Sequence, residues 1–305
     1  MKFAGIIAEY DPFHNGHAWQ LAQAKALGAE RVAVAMSCSL VQRGALPLLP
    51  EAVRTRSALT CGADLVFALP APCACAGAEA FARAGVALLA AAGCDGLVFG
   101  AETPDAALLM EAAELLDSGS YRAALKAQLA GGARSFAAAR QAAAAKLASD
   151  ERVAALLDKP NNNLAVEYCR AIRSLAPRME AYPLPRQGAN HGEALHSAHG
   201  QFASASALRK LWAEGGADAV APYVPEAVFP LYQEAYAAGQ YTDFSAAGRC
   251  ELALLRSACR GKAPFADIRG VSEGLEHRLE AAVRTSTTYD ELLDALTTVR
   301  YPRAR

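Results

Sequence analysis

His14 and His17 stand three residues apart in the string His14-Asn15-Gly16-His17, directly after Asp11-Pro12-Phe13. Imidazoles at that spacing lie near one another on a helix surface. The free backbone N–H groups and the dipole of a helix start favour an anion at the same place. Together they predict a polyphosphate site. Far along the chain, Ser204, Ser206, Arg209 and Lys210 read as a serine-capped helix start with a basic pair in its first turns, a second anion site. Two such sites in one domain suit a triphosphate attacked at its α-phosphorus. Pyrophosphate then leaves, and cations and N–H donors stabilise its growing charge without a protein nucleophile.

Other residue groups leave alternatives open. Asn161, Asn162 and Asn163 follow Pro160 and either cap the next helix or read a base or ribose; capping alone would use only one of them. Gly100 closes a strand, where a bare backbone lets a nucleotide approach or simply makes a turn. Arg54 and Arg56 lie on a helix near the expected site or on its solvated face. His191, His196 and His199 fall in a Gly-rich stretch read as a mobile loop, and their irregular spacing argues against a metal centre.

The elements that must carry these residues follow from periodicity and turn chemistry. The apolar run up to Ala8, ended by Glu9, is a buried strand over 1–8; a helix over 17–28 and a strand over 31–36 complete a βαβ opening. That opening implies a parallel sheet with right-handed crossovers, with ligands beyond the carboxyl ends of the strands. A helix over 51–61, a strand over 63–69, a helix over 76–92 and a strand over 94–100 continue the alternation. Residues 104–158 form a helical insert, and a helix over 164–175 precedes an edge-like strand over 180–185 that leads to Arg186. From Pro222 the texture turns helical, with helices near 231–238, 245–259, 275–285 and 289–297. The expected division is a domain over 1–215 that carries both anion sites, with the helical insert, and a helical C-terminal domain over 216–305.

Composition narrows the class. The chain has 305 residues, is 53% hydrophobic and 20% charged, and carries 30 basic against 31 acidic residues, which gives no global argument for nucleic-acid binding. DNA is not an expected partner. Neither G-x-G-x-x-G nor a Walker A string is present, so the nicotinamide and P-loop readings fail. The eight cysteines form no C-x-x-C pair and read as thiols in a reducing compartment. Met1-Lys2 leads into a strand with no cleavage site, and the Ala-rich stretch 68–94 is broken by Pro, Glu and Arg, so a cytoplasmic protein without a membrane span is expected.

H-x-G-H after a first strand, with a later S-x-S/T-x-[IL]-R, resembles the nucleotidyltransferase superfamily of some adenylyltransferases and class I aminoacyl-tRNA synthetases. The ordered strings GIIAEYDPFHNGH, MSCSLVQRG, DLVFALP, GLVFGAE, PNNNLAVEY and FASASALRK resemble the bacterial tRNA(Met) cytidine acetate ligase family. The resemblance runs from residue 5 to about 210 and more weakly to the end. It implies an α/β fold with a Rossmann-like parallel sheet of the HxGH type, a helical insert and a C-terminal helical domain. It also implies activation of acetate by ATP to acetyl-adenylate, then transfer of the acetyl group to N4 of the wobble cytidine of elongator tRNA(Met). Magnesium is expected with the ATP on charge grounds.

By the same resemblance the main ATP segment is Ile7, Ala8, Glu9, Tyr10, Asp11, Pro12, Phe13, His14, Asn15, Gly16, His17, Ala18, Trp19 and Gln20. Gly100, one of Asn161 and Asn162, and Arg186 are further ATP contacts. His14 and His17 stabilise the triphosphate during adenylation, and Ser204, Ser206 and Arg209 close over the phosphates. Gln42, Arg43 and Arg54 lie near the site with less definite roles. The chain departs from the family pattern at Asp11, in place of Asn, at Glu51, in place of Lys, and at Cys38-Ser39-Leu40, in place of Gly-Asn-Phe. Asp11 is expected to set a negative charge beside the phosphates. In the family a string like VRYPRAR continues into further helices, so a chain ending at Arg305 would lack part of the tRNA-binding surface. The alternatives are adenylyl transfer to a small phosphorylated acceptor and a non-catalytic RNA- or nucleotide-binding protein.

Overall fold

The computed structural model describes residues 1–132, 135–186, 195–197, 200–260, 265–268, 271 and 274–298. In chain order the first elements are β1 (Phe3–Ala8), α1 (Asn15–Ala26), β2 (Arg31–Ser37), α2 (Glu51–Thr60), β3 (Leu65–Leu69), α3 (Ala71–Ala74), α4 (Ala78–Ala91) and β4 (Gly96–Ala101). Helices α5 (Ala106–Asp117), α6 (Gly119–Ala130), α7 (Phe136–Leu147) and α8 (Glu151–Leu156) form the insert. Then come α9 (Pro160–Leu175), β5 (Glu180–Pro185), the two-stranded antiparallel pair β6 (Leu195–Ser197) and β7 (Gly200–Phe202), α10 (Ala205–Val220) and α11 (Phe229–Ala237). Helices α12 (Phe244–Ala258), α13 (Leu275–Thr285) and α14 (Tyr289–Leu296) end the described chain.

The main sheet is five-stranded and parallel, in the order β3-β2-β1-β4-β5. Its strands are short apolar runs because both faces are covered. In β2, Val32, Val34 and Met36 enter a core with α1 and α2, while Ala33 and Ala35 enter the opposite core with α4, α5 and α9. Small residues set the second layer's distance. A Cβ at Gly85 of α4 would stand 2.5 Å from the Cδ1 of Ile7, and one at Gly5 would meet Leu89 at 2.8 Å. Helix α4 therefore lies closer to β1 than any larger residue would allow. Strand β5 is one of the two edges, as its Pro183 and Pro185 require. The chain goes one way from β1 to β2 and the other way to β4, so a crevice opens beyond the carboxyl ends of β1 and β4.

Two helix starts that shape the site differ from the sequence reading. Helix α1 starts at Asn15 rather than 17, because His14 itself is the N-cap. Helix α9 starts at Pro160 rather than 164, since proline suits the first turn, and the three asparagines are helical rather than in a preceding break. One compact unit comprises Met1–Ala133 with Ala137–Tyr241, and the other Arg134–Phe136 with Thr242–Arg305. Residues 216–241, expected with the C-terminal domain, thus pack in the first unit, where Tyr232 is fully buried and Trp212 nearly so. The second unit has its own small core of Leu252, Cys259, Phe265, Ala282, Val283 and Leu292.

Candidate active site

The turn after β1 is built before the histidines are placed. Arg54, on α2, is fully buried. Its guanidinium donates to the carbonyl of Glu9 at 2.7 Å, of Ser37 at 2.7 Å and of Leu49 at 3.0 Å, and also to that of Cys38. The ends of β1 and β2 are tied to one planar cation, so Arg54 is neither solvated nor open to a ligand. The carboxylate of Glu9 accepts the Gln42 N–H at 2.6 Å. Arg56, by contrast, is exposed and pairs with Glu234 at 3.6 Å.

His14 and His17 cap α1 for each other. Nδ1 of His14 accepts the Gly16 N–H at 3.1 Å, and Nδ1 of His17 accepts the His14 N–H at 3.2 Å. This is a capping box made of imidazoles. The rings stack with centroids 3.7 Å apart at 23°. A Cβ at Gly16 would stand 2.9 Å from Cε1 of His14, so the glycine makes room for the stack. Each Nδ1 acts as an acceptor, which assigns the proton of each neutral ring to Nε2. Burial, and then the charge of Arg186, pushes His14 down to about 4. Burial, His14 and Arg186 hold His17 well below its ordinary value.

A pH dependence follows. Below the unfolded histidine pKa of about 6.5 the unfolded chain binds more protons than the folded one, so stability present above that pH is lost as pH falls toward 4. Both rings are half-buried and line the open cleft, so on the order of 1 kcal/mol each is expected. Urea unfolding at pH 7 and pH 5 should show the loss, and His14→Asn/His17→Asn should show less of it. An equal loss in that variant would assign it to other groups.

The histidines open into a cleft of about 280 Å³ at the β1/β4 crevice. Its polar wall is His14, Gly16, His17, Gly100, Asn161, Arg186 and Ser204, and its apolar wall includes Ile7, Phe99, Leu164, Tyr168, Leu184 and Phe202. Arg186, just past β5, donates to Oδ1 of Asn161. The Asn161 amide is oriented in turn by Glu102, which accepts its Nδ2 at 2.6 Å and caps α9 through the Asn161 and Asn162 N–H groups. Among the described residues no carboxylate pairs with Arg186, so its charge stands ready for an anion.

The three asparagines divide their work. Asn161 faces the cleft. Asn162 is buried and spends its amide on Thr103, accepting the backbone N–H at 2.9 Å and donating to Oγ1 at 3.1 Å. Asn163 donates to the carbonyls of Leu157 and Lys159.

On the other side of the cleft, Ser204 caps α10. Its Oγ accepts the Ala207 N–H at 3.3 Å and lies 3.1 Å from the Ser206 hydroxyl. Arg209 turns away from the cleft, donating through Nη1 to the Asp11 carbonyl at 2.7 Å and to its Oδ2 at 3.1 Å. Oδ1 of Asp11 accepts the Leu48 N–H at 2.6 Å. The expected negative charge beside the phosphates is thus buried and paired. Burial raises the Asp11 carboxyl, while the Leu48 N–H, Arg209 and Arg54 oppose the rise.

Of the expected ATP contacts, Ile7, His14, Gly16, His17, Trp19, Gln20, Gly100, Asn161, Arg186 and Ser204 line the cleft. The others build its frame. Ala8, Glu9, Tyr10, Asp11, Pro12, Phe13, Asn15, Ala18, Asn162, Ser206 and Arg209 are not among its lining. The sequence reading missed Phe99, Leu164, Tyr168, Leu184 and Phe202. Leu164 and Tyr168, four apart on α9, were the available signal. The loop histidines His191 and His199 lie outside the described residues, as do the side chains of His196 and Arg43.

The description HIGH Nucleotidyl Transferase fits residues 1–305 as a family. A tRNA(Met) cytidine acetate ligase of Syntrophotalea carbinolica is 36% identical over 308 residues, covering 100% of this chain and 72% of its own. One of Acetivibrio thermocellus is 34% identical, covering 100% and 75%. This chain belongs to the tRNA(Met) cytidine acetate ligase family. A crystal structure of Thermotoga maritima TmcAL without ligand matches with a TM-score of 0.91 at 30% identity, covering 100% of this chain and 73% of that one. A second, bound with α-thio ATP, matches at 0.89 and 29%. The fold is the α/β, Rossmann-like sheet of this ligase family, with a helical insert and a helical C-terminal region.

No group of three or more His, Cys, Asp or Glu side chains among the described residues could hold a metal ion. With its oxygens taken by Leu48 and Arg209, Asp11 does not fit as a magnesium ligand. No described helix is long and apolar enough to cross a membrane.

Proposed function

We propose that this chain activates acetate with ATP and acetylates N4 of the wobble cytidine of elongator tRNA(Met). The observation that carries the reading is the convergence on one cleft of Arg186, which pairs with no carboxylate among the described residues, two neutral imidazoles and the starts of α1 and α10. An acetate oxygen attacks the α-phosphorus, the bond to the bridging oxygen of pyrophosphate breaks, and acetyl-adenylate remains. The cytidine N4 then attacks the acetyl carbonyl, AMP leaves, and N4 loses a proton. In the first step negative charge grows on the leaving pyrophosphate. Nε2–H donors of His14 and His17 and the Arg186 guanidinium meet that charge without a protein nucleophile.

Asn161 is favoured over Asn162 as the ATP contact because the Asn162 amide is spent on Thr103. Ser204 acts at the cleft, and Arg209 acts through Asp11. Magnesium bound with the ATP would offset phosphate charge, and no cluster of metal-ligating side chains among the described residues would hold it. The cytidine must be unstacked to reach the site, and the region from 216 onward is the candidate tRNA surface. The protein works in the cytoplasm.

ATP–pyrophosphate exchange that depends on acetate, followed by N4-acetylcytidine in a tRNA(Met) transcript, tests the reading. Exchange with a phosphorylated acceptor instead of acetate would replace it with adenylyl transfer. No exchange at saturating ATP and magnesium would sink both. Arg186→Gln should weaken ATP binding about 10- to 100-fold by calorimetry, the worth of a charge-assisted contact. Unchanged affinity would remove Arg186 from the phosphate site.

A further inference from the structure

The turn that delivers the histidines is gripped at every second residue from one side. Arg209 holds the Asp11 carbonyl, Tyr232 holds that of Phe13, and Asn15 donates through Nδ2 to the Pro222 carbonyl at 3.3 Å. His14, Gly16 and His17 are left to face the cleft. All three grips come from α10, α11 and the segment between them, about 200 residues along the chain.

The middle grip reaches His17 through one peptide. The Tyr232 hydroxyl, fully buried, donates to the Phe13 carbonyl at 2.6 Å. That carbonyl belongs to the same peptide unit as the His14 N–H, which donates to Nδ1 of His17 at 3.2 Å. Hydrogen bonds in such a chain polarise one another: a carbonyl that accepts a bond makes its N–H a stronger donor. The hydroxyl also fixes the plane of the peptide, so the N–H cannot turn away from the imidazole.

We infer that Tyr232 is a positioning residue that sets the tautomer of His17 through the Phe13–His14 peptide, keeping the Nε2–H donor aimed at the cleft. It touches no substrate. Its ring is also packed edge-on against Trp212, with centroids 5.9 Å apart, and Tyr232→Phe keeps that packing while removing the hydroxyl, whose other partner is Ser57.

The rate readouts rest on the proposed function, whereas the tautomer readout does not. In the full chain labelled with ¹⁵N-histidine, two-bond ¹H–¹⁵N spectra separate Nε2–H from Nδ1–H rings, and a His17→Asn spectrum assigns the signal. Wild type should show His17 wholly as the Nε2–H form, and Y232F should show a mixture. Acetate-dependent exchange in Y232F should fall about tenfold in kcat, the worth of one net hydrogen bond, with KM for ATP changed less. Tyr236→Phe, which removes the hydroxyl of a half-exposed tyrosine on the same helix, should change neither. A wild-type His17 outside the Nε2–H form overturns the inference without any variant. So does a Y232F protein with His17 unchanged, or one with a mixture and full kcat. If wild type shows no acetate-dependent exchange, the proposed reaction fails and the spectra alone decide the role of Tyr232.

Discussion

Replacing His17 by alanine should lower acetate-dependent ATP–pyrophosphate exchange by at least about 100-fold, the loss usual for one donor aimed at transition-state charge. The fall should lie in kcat. A neutral Nε2–H donor gains most as charge develops on the leaving pyrophosphate, and Arg186 still holds ATP in the ground state. Structural cost should be small. The substitution removes one acceptor, for the His14 N–H, and half of the α1 capping box, worth about 1 kcal/mol. A stable H17A protein with near-normal exchange would take His17 out of the chemistry. One whose loss lies wholly in KM would make it a binding group.

Arg54→Leu should cost at least about 3 kcal/mol of stability in urea unfolding, as breaking a buried charged network does. The carbonyls of Glu9, Ser37, Cys38 and Leu49 would lose their donor, and a buried acceptor left unpaired costs about 1–3 kcal/mol. Removing the cation's own desolvation cost offsets part of this, so the simple sum overshoots. Arg54→Lys keeps the charge but cannot span four acceptors, and should fall between the two. A change below about 1 kcal/mol in R54L would mean that water or backbone shifts replace the clamp.

Much of this architecture was legible in the residue order. The apolar runs 3–8, 31–37 and 96–101 are strands, and the turn chemistry at Asp11-Pro12 marks where the first one ends. The start of α10 could be read, since Ser204 is a local cap whose partner lies three residues on, whereas α1 begins two residues earlier than its pattern suggests because a histidine caps it. The apolar half of the cleft was less legible. Phe99 and Leu184 look like any other strand residues until the β4–β5 pairing places them beside the crevice.

By itself the sequence determined the elements, their alternation, and the strand–turn–helix that brings two imidazoles to a helix start. Those features depend on backbone preference and side-chain period, which act over a few residues. Only the tertiary structure decided where each charge goes. Asp11 looked like a burden on the phosphates and proved to be the buried partner of Arg209. Arg54 could have been a solvated helix arginine and is instead the clamp under β1 and β2. Tyr232, from a region expected in another domain, reaches back to the peptide that orients His17. A charge or a hydroxyl is satisfied by whatever lies within about 3 Å of it. For these groups that neighbour is set by how distant segments pack, which no local pattern encodes.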